Sequence, residues 1–235
     1  MSYNEIKQKL IDLSNPQHAV ILQRFFKTNK GQYGEGDIFL GIRNPSLHLL
    51  AKTYTKTDMG IIEKMLFSKY HEERMLALLI LVRKFPKEEE TGKEEIFKFY
   101  ISNTARINNW DLVDLTAPNI VGAYLMDRDD KELLFRFAES ECLWEKRISV
   151  ISTLTFIRMQ NYDTTFAIAE ILLTDKHDLI QKAVGWMLRE IGKRDIDAEL
   201  MFLNAHYKEM PRTMLRYSIE KFPEKLRLGY LKGTI

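Results

Sequence analysis

Apolar residues recur along this chain at intervals of three and four far more often than they alternate, which is the spacing of a helix face and not of a strand. The stretches "EERMLALLILVRKF" (72–85), "EEIFKFYISNTARI" (94–107), "WEKRISVISTLTFIR" (144–158), "TTFAIAEILL" (164–173) and "LIQKAVGWMLREIGKR" (179–194) each predict a helix of ordinary length. Pro86, the charged run "EEETGKEE" at 88–95 and Pro211 mark joints between them. The glycine-rich stretch "NKGQYGEGDIFLGIRNP" (29–45) lacks the phosphate-cradling spacing and follows no strand signal, so it is expected to be a plain connecting loop.

The helices recur at a near-constant interval. "EERMLALL", "EKRISVIS" and "IQKAVGWM" share a charged or polar pair followed by small or apolar residues. Arg74, Trp110, Arg147 and Lys182 are separated by 36, 37 and 35 residues. Paired helices repeating at that period predict an all-α fold, a HEAT-like or armadillo-type helical solenoid, formed as one repeat domain over residues 1–235. Such a stack curves, and its concave face is the usual seat of an extended ligand.

Against this pattern a few residues stand out. In "NNWDLVDLTAPNIVG" (108–122), Asn108 and Asn109 are natural caps, so a helix is expected to start at Trp110. On a wheel Trp110 and Asp114 fall within about 40° of each other, with Leu112, Leu115 and Thr116 opposite. The helix N-terminal dipole explains Asp111 but reaches poorly to Asp114, in the second turn. Pro118 removes a backbone donor and is expected to bend or interrupt the helix. Over 179–194, Ile180, Val184, Met187, Leu188 and Ile191 share one side, while Lys182, Trp186, Arg189 and Lys193 share the other. An indole amid cations is either covered by a neighbouring repeat or turned toward a sugar–phosphate backbone. Arg147 lies at the edge of an apolar side and needs an anion, either a carboxylate or a phosphate. Trp144 reads as core.

Composition changes this picture little. Hydrophobic residues make up 45% and charged residues 29%, an ordinary globular balance, and the net charge is +2. The charges are unevenly spread: residues 1–140 carry 20 basic and 20 acidic side chains, whereas 200–235 carry seven basic against three acidic. That end is compatible with an anionic partner. A single cysteine, Cys142, fits a reducing compartment, and the polar start "MSYNEIKQKL" has neither signal-peptide nor anchor character, so a cytoplasmic protein is expected. The five histidines have no metal-ligand spacing, and no serine or cysteine sits in a nucleophile motif, so neither metal nor cofactor is expected.

The segments "NNWDLVDLTAPNIVG", "LWEKRISVI", "LIQKAVGWMLREIGK" and "DIFLGIRNPSLHLLAK" (37–52) resemble those of the AlkD-type alkylpurine DNA glycosylases, and the resemblance spans nearly the whole chain. It implies HEAT-like repeats around duplex DNA containing alkylated purines and the excision of bases cationic at N3 or N7, with no cofactor and by a monomer. By motif, Trp110 and Trp186 resemble the aromatic pair facing the damaged nucleotide. Asp114 resembles the catalytic carboxylate and Arg147 the backbone-binding arginine beside it. Arg43, Lys182, Arg189 and Lys193 would be DNA contacts. The chain departs from the family pattern at Phe25, where a tyrosine is expected, and in a longer 29–37 loop. Two other readings remain: a non-catalytic DNA-binding protein of the same fold, and a HEAT-type protein-interaction scaffold.

Overall fold

A computed structural model describes residues 2–235, and among these residues the fold is all-α, with one isolated bridge between Ile38 and Tyr70 as its sole strand-like pairing. The chain divides into two compact units, Met1–Thr116 and Ala117–Ile235. No helix among the described residues is long and apolar enough to cross a membrane.

Unit 1 contains α1 (Tyr3–Asp12), α2 (Pro16–Phe25), α3 (Asn44–Thr53), α4 (Met59–Leu66), α5 (His71–Lys84), α6 (Glu90–Ser102) and α7 (Trp110–Ala117), whose last residue begins unit 2. Local chemistry sets the starts. Ser2 and Glu5 form a reciprocal capping box on α1, and Asn15 caps α2 ahead of Pro16, whose missing N–H costs nothing in the first turn. Helix α5 is buried along most of its length, from His71 to Leu81, because α3 and α4 both pack against it. A helix covered all round needs no amphipathic stripe, which is why "MLALLILV" is apolar without a break.

Unit 2 begins with a π-helical segment, Pro118–Gly122, followed by α8 (Ala123–Leu125), α9 (Glu132–Ala138), α10 (Leu143–Ser152), α11 (Leu154–Arg158), α12 (Asp163–Ile171), α13 (Asp178–Gly192), α14 (Ile196–His206), α15 (Arg212–Ser218) and α16 (Glu224–Lys232). The expected interruption at Pro118 is thus a widened turn. Its carbonyl is taken by the Thr155 hydroxyl at 2.6 Å, and a Cβ on Gly122 would lie 2.2 Å from the Ser152 carbonyl oxygen, so only glycine lets these backbones approach. Helix α13 packs against α10, α14 and α15.

The five helices expected from periodicity all form, each starting slightly earlier and ending earlier than expected; α6 starts at Glu90, so most of the charged run 88–95, expected to be a joint, is its first turns. The predicted 94–107 helix stops at Ser102 and gives way to a 3-10 turn over Thr104–Arg106, and 144–158 divides into α10 and α11. The repeat is also visible in chemistry. Ser68 donates to Glu73 and accepts from the Tyr70 amide, while Ser140 donates to Glu145 and accepts from the Cys142 amide. Asp175 accepts from the His177 amide in the same place before α13. Ser68, Ser140 and Asp175 are 72 and 35 residues apart, two periods and one. The anchors of the sequence pattern need one correction. Arg147 and Lys182 are fifth in their helices, Arg74 is fourth, and Trp110 is first; Asp114 is the fifth residue of α7. The carboxylate, not the tryptophan, shares the register of the cations.

Candidate active site

Helix α7 starts at Trp110 as its sequence predicts, and the reason is polar. Asn109 is fully buried; its side-chain oxygen accepts from the Trp110 amide at 2.9 Å and its amide group donates to Asp37 at 3.3 Å. Trp110 is half-buried. Its ring stacks on Phe26 (centroids 5.1 Å apart, 20° between planes) and meets the edge of exposed Phe25 at 5.8 Å. Phe26 stacks in turn on Phe39 at 5.0 Å, and this cluster supports the indole from below. Asp114 is half-buried one turn along the same helix, whereas Leu112 and Thr116 are fully buried. The Tyr100 phenol is pushed well above its ordinary pKa, first by burial and also by the charge of Asp114, against the opposing hydrogen bond with Thr116.

Asp111 does not share that face. It is buried, and its Oδ2 lies 2.9 Å from Nε2 of His71. The dipole account of Asp111 is therefore secondary to a specific partner on another helix. His71 Nδ1 lies 3.0 Å from Asp37, and Arg74 donates to Asp37 at 2.5 Å, to Asn108 at 3.1 Å and to the Ser68 carbonyl at 3.2 Å. Burial alone would depress His71, but the charge and hydrogen bond of Asp111, with those of Asp37, raise its pKa to about 9. Burial would raise Asp37, but hydrogen bonds and charges from His71 and Arg74 outweigh it and hold the carboxyl below the usual range.

Residues 29–45 are not a plain connector. Asp37 in this stretch is the hub of that network, and the backbone amides of Leu40, Gly41 and Ile42 donate to the Glu72 carboxylate at 2.8, 2.7 and 3.1 Å. Gly41 has φ +83°, and a Cβ there would lie 2.0 Å from the Asn15 carbonyl oxygen. Its glycine allows the loop to press against the start of α2. The available signal was the acid Asp37 inside a glycine-rich stretch and the charged cluster "HEER" at 71–74, but their burial is visible only in the structure. Arg43 is exposed at the N-cap position of α3, with no capping hydrogen bond of its own.

In unit 2, α13 separates its faces as its pattern predicts. Ile180, Val184, Met187, Leu188 and Ile191 are buried. Trp186 is half-buried, and its indole N–H donates to Glu190 at 3.2 Å. The cations beside it are accompanied by acids: Lys182 by Asp178 at 2.6 Å, Arg189 by Glu220, and Lys193 by Glu190. Burial would raise the Glu190 carboxyl, but hydrogen bonds from Lys193, Arg194 and Trp186 hold it below its ordinary range. Arg147 on α10 is buried and donates to the Leu179 carbonyl at 2.6 Å, the residue after the first of α13. Trp144 is buried, in agreement with its core reading.

A family model described as DNA alkylation repair enzyme matches residues 6–222. Among solved structures, a predicted DNA alkylation repair enzyme from Enterococcus faecalis is similar over 90% of this chain and 97% of its own, with a TM-score of 0.70 at 16% identity. AlkD2 from Streptococcus mutans is similar over 88% of this chain and 98% of its own, with a TM-score of 0.55 at 17% identity. A search of curated proteins finds no match. At these identities the structural likeness speaks for the fold, and the family model for kinship.

Proposed function

The chain belongs to the DNA alkylation repair enzyme family, and from that premise we propose that it is a DNA glycosylase that excises purines alkylated at N3 or N7 from duplex DNA. The observation that carries this reading is on α7: an indole and a carboxylate, both half-buried, stand one turn apart on a helix that buries Asp111, Leu112, Val113, Thr116 and Ala117.

A purine alkylated at N3 or N7 is cationic, so it leaves as a neutral base and needs no proton from an acid. What the reaction needs is negative charge where the sugar becomes an oxocarbenium ion, and a water positioned to capture it. Asp114 supplies the charge and accepts the proton of the attacking water. The face of Trp110 stabilises the cationic sugar and base through cation–π attraction. Its support on Phe26 and Phe39 keeps that face in place before substrate arrives. By the family reading Trp186 offers an aromatic surface to DNA, and Arg43, Arg147, Lys182, Arg189 and Lys193 are backbone contacts. The carboxylates now beside Lys182, Arg189 and Lys193 are exchanged for DNA phosphates on binding. The protein acts as a monomer with duplex DNA as its partner, in the cytoplasm, and the chemistry as written uses no metal or cofactor.

The test is Asp114→Asn, which keeps shape and removes charge. Release of 3-methyladenine and 7-methylguanine from methylated duplex should slow by about 10²–10³-fold, while affinity for undamaged duplex holds or rises. Release at the wild-type rate would remove Asp114 from catalysis. Binding without any release by the wild-type protein would favour a non-catalytic DNA-binding role.

A further inference from the structure

Unit 1 buries a polar network that no step of the proposed chemistry uses, and its centre is His71, the first residue of α5, 2% exposed. Its Nδ1 lies 3.0 Å from Asp37 and its Nε2 2.9 Å from Asp111. A neutral imidazole has one N–H, so it could donate to one carboxylate only and would turn a lone pair toward the other. Two ionised carboxylates at these distances call for the doubly protonated ring. The charged groups facing it come from three elements. Asp37 is in the 29–45 loop, Asp111 is on α7, and Arg74 of α5 acts through Asp37. Phe39 and Phe26 cover the ring, with centroids at 4.4 and 5.3 Å.

This imidazolium reaches Trp110 by two routes. In the polar route, Asp111 follows Trp110 in sequence and lies three residues before Asp114. Holding the Asp111 carboxylate therefore sets the rotation of α7 about its own axis, and with it the directions of Trp110 and Asp114. In the aromatic route, Phe26 touches both the His71 ring and the Trp110 ring, at 5.3 and 5.1 Å. The two carboxylates are not held equally. Asp37 also accepts from Arg74, Asn108 and Asn109, whereas Asp111 has a local bond from the Leu112 amide besides His71. When the ring loses a proton to solvent, Asp111 is the partner that lets go.

We propose that His71 is a positioning residue for the α7 site: as an imidazolium it locks Asp111, fixes the orientation at which α7 presents Trp110 and Asp114, and releases that setting when it is deprotonated. The kinetic part rests on the excision reading; the positioning of Trp110 does not.

The experiment has one arm for each. In the DNA-free intact chain, the indole N–H resonances of Trp110, Trp144 and Trp186 are assigned by single Trp→Phe substitutions and followed from pH 6 to 10. The Trp110 resonance should titrate with a midpoint near 9, the value to which His71 is raised, while those of Trp144 and Trp186 show no such transition. In the second arm, single-turnover release of 3-methyladenine is measured over the same range, corrected for enzyme-free loss. It should fall about tenfold per pH unit above the same midpoint. Asp111→Asn keeps an acceptor for Nε2–H but drops the charge, and should move both midpoints down by at least one pH unit; a purely structural role for Asp111 would move neither. His71→Gln should abolish both transitions. A flat Trp110 resonance, or a midpoint near the ordinary histidine value of 6.5, overturns the proposal. A Trp110 transition without excision at any pH supports the positioning and overturns the excision reading alone.

Discussion

Arg74 and Arg189 lie on the longest helices of their units and each is paired with a carboxylate, yet the surroundings of the two pairs differ. Arg74 and its partner Asp37 are both almost wholly dry, with side chains 5% and 3% exposed. Arg189 has a side chain 15% exposed and pairs with Glu220, whose side chain is 48% exposed. In the dry pair neither charge can return to water alone, so each holds the other in place and the pair behaves as a piece of the fold. In the second pair Glu220 is exposed, and water and salt readily take over its side of the contact. On the proposed reading, an incoming phosphate replaces Glu220 at Arg189. The lesson is that an ion pair is a structural element or a vacant binding position according to the hydration of its weaker-held member.

Three sets of measurements would break that contrast, beginning with the largest effect. Asp37→Ala leaves His71, Arg74 and Asn109 facing a void, and should destabilise the protein by about 3–5 kcal/mol in chemical denaturation. Glu220→Ala should change stability by less than about 1 kcal/mol. Equal losses for the two would end the distinction.

Next comes pH. The folded pKa of His71, about 9, is above the ordinary 6.5 of the unfolded chain, so the native state binds the extra proton more tightly. The stabilisation is complete below pH 6.5 and is lost as pH rises to about 9, a fall of about 3 kcal/mol over that window. Glu199 acts in the same direction at lower pH. Burial lifts its carboxyl from 4.5 to about 8 against the opposing charge of Arg189, so stability declines as it ionises across that range. Denaturation midpoints measured from pH 5 to 10 should fall steadily. A Glu199→Gln variant should be more stable than wild type at pH 8, and a His71→Gln variant should keep only the shallower Glu199 decline, which ends near pH 8. A midpoint that rises between pH 6.5 and 9 would contradict the imidazolium.

The smallest effect is on binding. Arg189→Ala should flatten the plot of log affinity for duplex DNA against log salt by about 0.9. Glu220→Ala should tighten binding slightly, because Arg189 then meets the phosphate without a competitor. An unchanged slope in the first variant, with unchanged affinity in the second, would return Arg189 to a structural role.

Much of the fold was legible in the chain because a helix face is a local, repeating demand. The apolar stripe of α13 and the start of α7 at Trp110 each depend on neighbours within one or two turns, and both form where their sequences place them. The helix ends were less legible: Ser102 ends α6 because the chain then tightens into a 3-10 turn, which periodicity does not record. Of the candidate site, Trp110 and Asp114 stood out as a half-apolar, half-acidic face. Asp111 was read through the helix dipole because local sequence cannot tell a solvated carboxylate from one that meets a histidine 40 residues away.

The sequence by itself determined what short-range physics determines: helix type, the recurrence of about 36 residues, the buried side of α13 and the indole–carboxylate spacing on α7. Tertiary structure alone decided the fate of the charges. Whether Asp37, Glu72, His71 and Arg74 are solvated or sealed depends on which loop folds over α5, and that contact joins residues more than 30 positions apart. The sign and size of a charge's contribution turn on its distance from water. Distance from water is a property of the packed chain, and no residue carries it in its own side chain.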